Sequence, residues 1–179
     1  MKTNYGVVSI RVPVSIYQSV RLLELGKNIC EIGPGIGRTA YFAAMLGATK
    51  YTLVDIPIVS LVQSHFLIQS LNNKKFIFNG QKTQEKGIHF MTPNSFFKNN
   101  DKYDVVFNSD SLTEIGIIAA REYLKNISKK TRFFLSINNE GNEFSIRELT
   151  KEFKNFHLIY RNRPWIRKGY VEELYEIRN

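Results

Sequence analysis

The sequence predicts an α/β architecture: a doubly wound, mostly parallel sheet of seven strands, with helices on both faces and an antiparallel strand at the C-terminal end. Three observations predict it. Short apolar runs alternate with stretches of helical period, as in a parallel sheet joined by crossover helices. The run "YDVVFN" places Val105, Val106 and Phe107 in succession, which demands cover on both faces of the sheet. The last two runs, "FHLIYR" and "YVEELYEIR", leave little room between them for a crossover helix and so pair as a hairpin.

Taken in order, Ile16, Val20, Leu22 and Leu23 recur at helical spacing over 14–25, and Gly26 closes that helix. A buried strand follows over 28–32. Ala-rich and aromatic residues make a helix of 38–46, ended by Gly47, and 51–54 is the second strand. Pro57 suits the first turn of a helix over 58–71. "KKFIFN" and "GIHFM" are short strand candidates on either side of a polar loop. The strand 103–108, a helix over 112–127, the strand "RFFLSIN" and a helix over 144–153 with Ser145 near its start lead to the closing hairpin. No composition shift divides the chain, so residues 1–179 are expected as one domain, with 1–27 a short N-terminal helical segment.

Bulk properties narrow the setting. Arg11 and Pro13 interrupt any apolar core of a signal peptide, and no apolar run approaches the roughly 20 residues that span a bilayer. One cysteine, Cys30, cannot form an internal disulfide, which fits a cytoplasmic location. The net charge of +9 comes from basic residues scattered along the chain, with modest clusters at "KNISKKTR" and "YRNRPWIRK". It fits a solvated basic surface, a phosphorylated or nucleotide-linked substrate, an anionic membrane face or RNA. No DNA- or RNA-binding motif accompanies it.

The informative stretch is "ICEIGPGIGRTAYFAAMLGATKYTLVDIP". Gly33, Gly35 and Gly37 stand between the first strand and its helix, where a doubly wound sheet opens its ligand crevice. Without Cβ atoms they permit a tight turn and let a ligand touch main chain. The helix start near Arg38 offers free N–H groups, and Asp55, ending the second strand, is placed to accept from two ribose hydroxyls. The spacing is GxGxG, with Arg38 where the dinucleotide fingerprint wants its third glycine, which disfavours a nicotinamide or flavin cofactor.

"EIGPGIGRTA" followed by "YTLVDIP" resembles the first two motifs of the class I S-adenosylmethionine-dependent methyltransferases, whose domain is Rossmann-like. The resemblance covers nearly the whole chain from Ile29 and includes the terminal hairpin. It implies S-adenosylmethionine as cofactor, its methionine part on Gly33, Gly35 and Gly37, Glu31 as the acidic residue before the loop, and Asp55 on the ribose. It also implies Ile56 beside the adenine, Thr92 or Pro93 near its amino edge, and Asn108 and Ser109 against the cofactor. The segments "LVDIPIVSLVQSHFL", "NSDSLTEI", "FLSINNE" and "RPWIRKGYVEELYEI" are similar to bacterial sugar O-methyltransferases that accompany polysaccharide or lipopolysaccharide pathways. Such proteins usually carry a longer part before the first strand, so the chain is expected to be a compact or truncated member.

A sugar hydroxyl is a weak nucleophile, and a positioned base would activate it. Asp110 is the first candidate and Glu114 the second, each with a bland alternative, Asp110 as a helix cap and Glu114 as a first-turn residue suiting the dipole. Asn138, Asn139 and Glu140 either bind acceptor hydroxyls or form a polar turn. Trp165, Arg167 and Tyr170 either contact a sugar or close the core, the second being preferred. No metal site is expected: two carboxylates, Asp110 and Glu140, are too few, and no histidine pair has ligand spacing. The Asn/Asp-Pro-Pro-aromatic run of amino-group methyltransferases is replaced by "NSDS", against DNA and toward an oxygen acceptor. The expected substrate is a small molecule or glycan, with nucleotide- or lipid-linked forms included. RNA, another small molecule, or a non-catalytic cofactor-binding remnant stand as alternatives.

Overall fold

Residues 2–4, 6–81 and 85–178 are described by the computed structural model of the chain. A two-residue ladder near the N-terminus, β1 (Lys2–Thr3) with β2 (Gly6–Val7), precedes the main sheet. The sheet strands are β3 (Asn28–Ile32), β4 (Lys50–Val54), β5 (Phe76–Ile77), β6 (Gly87–Met91), β7 (Tyr103–Ser109), β8 (Thr131–Asn139), β9 (Phe156–Asn162) and β10 (Tyr170–Ile177). They lie in the order β5-β6-β4-β3-β7-β8-β10-β9. Neighbours from β5 to β8 are parallel, while β10 runs antiparallel to both β8 and β9. The expected antiparallel closing strand is therefore present, inserted beside β8. Eight strands replace the expected seven because Phe76 and Ile77 pair with Ile88 and His89 as a two-residue edge strand.

Side-chain alternation divides the core into two layers. From β3, Cys30 and Ile32 face one layer and Ile29 the other; from β7, Val106 opposes Val105 and Phe107. The first layer packs against α4 (Pro93–Lys98), α5 (Ile117–Lys130) and α6 (Ile146–Thr150), through Phe96, Leu124, Ile127 and Leu149. The second packs against α1 (Arg11–Leu25), α2 (Arg38–Met45) and α3 (Pro57–Ser70), through Leu22, Ala40, Ala43 and Leu67. The small alanines of α2 let it lie close to both the sheet and α1.

Several boundaries differ from the sequence expectation, each for a local reason. The helix expected over 112–127 begins at Ile117, because Gly116 takes a φ of +86° as its N-cap, and 112–116 is a turn. The helix expected over 144–153 shrinks to α6, opened by a capping box between Ser145 and Glu148. Helix α1 starts three residues early, with Pro13 inside its first turn, and α4, not expected at all, is capped by Thr92. Among the described residues no helix is long and apolar enough to cross a membrane.

The strand order reverses between β3 and β7. Main-chain polar groups there are not covered by crossover helices, so a crevice opens beyond the carboxyl ends of these strands.

Candidate functional site

A cavity of about 250 Å³ occupies that crevice. The glycine loop forms its floor through Gly33, Pro34 and Gly35, α1 covers it through Ile10, Arg11, Val14, Ser15 and Gln18, and Ser109 and Asp110 close the β7 end.

The three glycines have different tasks. All take positive φ, of +66°, +58° and +87° for Gly33, Gly35 and Gly37. A Cβ at Gly33 would lie 2.3 Å from the Cβ of Ser111, and one at Gly37 would lie 3.1 Å from a methyl of Leu67. Packing requires the glycine at position 33 and leaves little room for a side chain at 37. A Cβ at Gly35 would meet nothing within 4 Å, so this backbone faces open space on the cavity side. Gly35→Ala should therefore cost only the left-handed backbone strain, about 1–2 kcal/mol. Urea denaturation would check this, and a larger loss at Gly33→Ala is the expected contrast.

Asp55 sits half-buried at the end of β4. Its Oδ1 accepts from the Ile56 N–H (2.8 Å) and its Oδ2 from Gln63 Nε2 (3.0 Å). Burial raises its pKa, opposed by these two donors. The same Gln63 Nε2 donates to the carbonyl oxygen of Gly35 at 2.8 Å. Glu31 is buried on the cavity wall and accepts from the Tyr51 hydroxyl at 2.7 Å. Burial pushes its carboxyl up to about 7, Tyr51 pulls it down, and the charge of Asp55 adds to the rise.

Asp110 lies at the rim with a φ of +54°, the positive-φ residue other than glycine among the described residues. Aspartate tolerates this region at a modest cost, and such strain concentrates at working sites. Its Oδ2 is ion-paired with Arg167, and its Oδ1 is buried without a partner. It caps no helix, since α5 begins seven residues later at Gly116 and Ile117. The Arg167 guanidinium lies 3.5 Å from the ring centroid of Tyr170, so the β9–β10 connection folds back over the cavity. Trp165 of that connection is 83% exposed, which corrects the expectation that it closes the core.

Asp55 stands outside the lining of this cavity, as do several of the other expected residues. Glu114 is exposed in the turn before α5, outside the cavity lining and outside any first helical turn. Asn108 is fully buried: its Nδ2 donates to the Ile32 carbonyl (2.9 Å), and its Oδ1 accepts from Leu112 N–H (3.3 Å) and Asn138 Nδ2 (2.9 Å). It latches β3 to β7 and β8 and has no surface for a ligand. Thr92 is engaged in capping α4, and Ile56, 52% exposed, stands beside Asp55. Ser109 lines the cavity and accepts from Gln18 Nε2 at 3.1 Å. Glu140 pairs with Arg161 and Asn139 accepts from Gly141 N–H, the polar-turn alternative. Among the described residues no group of three or more His, Cys, Asp or Glu side chains gathers to hold a metal ion.

No protein-family model matches the sequence and no curated protein matches it. Solved structures do. The methyltransferase domain of bacterial CtHen1-C is similar over 94% of this chain and 99% of its own, with a TM-score of 0.71 and 11% identity. Magnesium protoporphyrin IX methyltransferase from Synechocystis PCC 6803, crystallised with bound SAM, is similar over 94% and 78%, with a TM-score of 0.64 and 18% identity. The ribosomal protein L11 methylase of Lactobacillus delbrueckii subsp. bulgaricus matches over 94% and 80%, with a TM-score of 0.66 and 11% identity. The chain has the Rossmann-like fold that these methyltransferases share.

Within this fold, four contributors were missed in sequence. Gln18 links the roof to both ends of the cavity, donating to Ser109 and accepting from Thr39 Oγ1 at 2.8 Å. Arg11 and Arg38 line the cavity with no carboxylate partner among the described residues. Gln63 ties the loop to Asp55. The available signal for Gln63 was a polar residue on the core-facing stripe of α3, four residues before the buried Leu67.

Proposed function

We propose that this protein is an S-adenosylmethionine-dependent methyltransferase acting on a hydroxyl of a sugar or glycan precursor. The observation that carries the cofactor reading is the pairing of a bare main-chain surface at Gly35 with a carboxylate at Asp55 that keeps acceptor capacity. The residues fit the group. The loop 33–37 would hold the methionine part, Glu31 its ammonium, Asp55 the ribose diol, and Ile56 one face of the adenine. When bound, S-adenosylmethionine supplies an electrophilic methyl carbon on a sulfonium.

The chain's own groups then have limited tasks. Helix α1 excludes water from above. Asp110 orients the acceptor hydroxyl and takes its proton, while Arg167, ion-paired to Oδ2, fixes the carboxylate at the rim of the cavity. Arg11 and Arg38 favour an acceptor carrying negative charge, such as a phosphorylated or nucleotide-linked sugar. The "NSDS" run and the similarity of four segments to sugar O-methyltransferases support oxygen as the acceptor atom.

Calorimetric titration with S-adenosylhomocysteine tests the cofactor, and transfer of labelled methyl to a panel of nucleotide-linked sugars tests the acceptor. Asp110→Asn, which keeps the backbone conformation accessible, is expected to lower turnover about 10²-fold or more. Cofactor affinity should stay within a few-fold of the parent. No heat of binding with S-adenosylhomocysteine would remove the proposal entirely.

A further inference from the structure

We infer that Gln63 is a positioning residue that couples the ribose carboxylate to the methionine cradle, so that the two ends of the cofactor site form one unit. This rests on the proposed cofactor. Gln63 is 0% exposed in the middle of α3, and its single amide nitrogen spends both hydrogens on the site. One goes to the carbonyl oxygen of Gly35 at 2.8 Å, the other to Asp55 Oδ2 at 3.0 Å. The first contact fixes the peptide that leaves Gly35, the glycine whose Cα faces open space. The second fixes the rotation of the carboxylate.

The consequence for Asp55 follows from counting acceptor positions. An ionised carboxylate has about four lone-pair sites, two on each oxygen. Ile56 N–H occupies one on Oδ1 and Gln63 one on Oδ2. One site remains on each oxygen, and that pair matches the two hydroxyls of a vicinal diol. Without Gln63 the carboxylate keeps one tether and rotates about it, so both hydroxyls are no longer met together.

The carbonyl side of the same amide argues that packing alone does not explain the residue. Gln63 Oε1 is buried with no hydrogen-bond partner, a state that destabilises a folded chain. Leucine or methionine would fill the space without that defect. A glutamine in this place is explained by what its nitrogen holds.

The test uses the full chain with two variants, Gln63→Leu and Gln63→Glu, and two ligands, S-adenosylhomocysteine and its 2′-deoxy counterpart. Gln63→Leu should stay folded and melt a few degrees below the parent, since removing the orphan Oε1 offsets only part of the two bonds lost at Gly35 and Asp55. Its affinity for S-adenosylhomocysteine should fall by about tenfold or more. The parent should prefer the ribose ligand over the deoxy ligand, and Gln63→Leu should lose most of that preference, which a merely structural role would leave unchanged. Gln63→Glu keeps the length but sets a carboxyl against Asp55, so its affinity relative to the parent should fall as pH rises and both groups ionise. If Gln63→Leu does not fold, the Gln63→Glu preference and pH profile decide. Parent-like affinity and ribose preference in the folded variants overturn the coupling while leaving the cofactor in place. A parent that binds neither ligand overturns both.

Discussion

Asp55→Ala is expected to lower the affinity for S-adenosylhomocysteine by about 10²–10⁴-fold while the chain stays folded. The magnitude comes from losing two hydrogen bonds to a charged acceptor, each worth about 1.5–3 kcal/mol, or about 3–6 kcal/mol together. Persistence of the fold follows from where the carboxylate stands. It ends β4 and holds only the Ile56 N–H and Gln63, and burial raises its pKa, so its charge works against the folded state. Removing that charge leaves Gln63 its bond to Gly35. Calorimetry should show the loss and circular dichroism an intact chain. Gly35→Val should give the same result by a different route, because its branched side chain enters the open space above the loop. An affinity unchanged in either variant would show that the crevice is not where the nucleoside lies.

The sheet was legible because its strands carry their own evidence. The strand 28–32 is found with the expected limits, and the rhythm of buried runs gave the parallel order and the closing hairpin. The placement of the glycine loop after β3 and of Asp55 at the end of β4 was legible for a related reason: each is local, and glycine is the residue a positive φ selects. What failed to show are contacts between residues distant in sequence. Gln18 meets Ser109 across 91 positions and Asp110 meets Arg167 across 57. Neither side chain has a local pattern that names its partner. Asn108 misled in the opposite sense. Its place at the end of β7 suits a ligand, but the amide geometry spends both polar ends on β3, β8 and the turn after β7. The start of α5 was obscured because Leu112 and Thr113 are buried as helical residues would be, although they lie in a turn.

Glu31 gives the second large effect, and it depends on pH. An exposed glutamate titrates near 4.5, whereas burial carries Glu31 up to about 7. Between these values the folded chain holds a proton that the unfolded chain has released, so stability falls as pH rises across the window from 4.5 to about 7. Below it Glu31 contributes fully; above it the contribution is gone, a difference on the order of 3 kcal/mol. Glu31→Gln keeps an oxygen to accept from Tyr51 and removes the titration. Relative to the parent it should gain about 6–12 °C in melting temperature between pH 5 and pH 8, with other titrating groups cancelling in the comparison. The same substitution should act on binding with the opposite sign. The ionised carboxylate is what attracts an ammonium, so parent affinity for S-adenosylhomocysteine should rise through pH 7, and the variant should lose that rise. On the proposed reading, a carboxylate that destabilises the fold at neutral pH is kept for the cationic group it would hold. Melting curves with identical pH slopes for parent and variant would show instead that Glu31 is already ionised in the fold, and the argument from burial would fail.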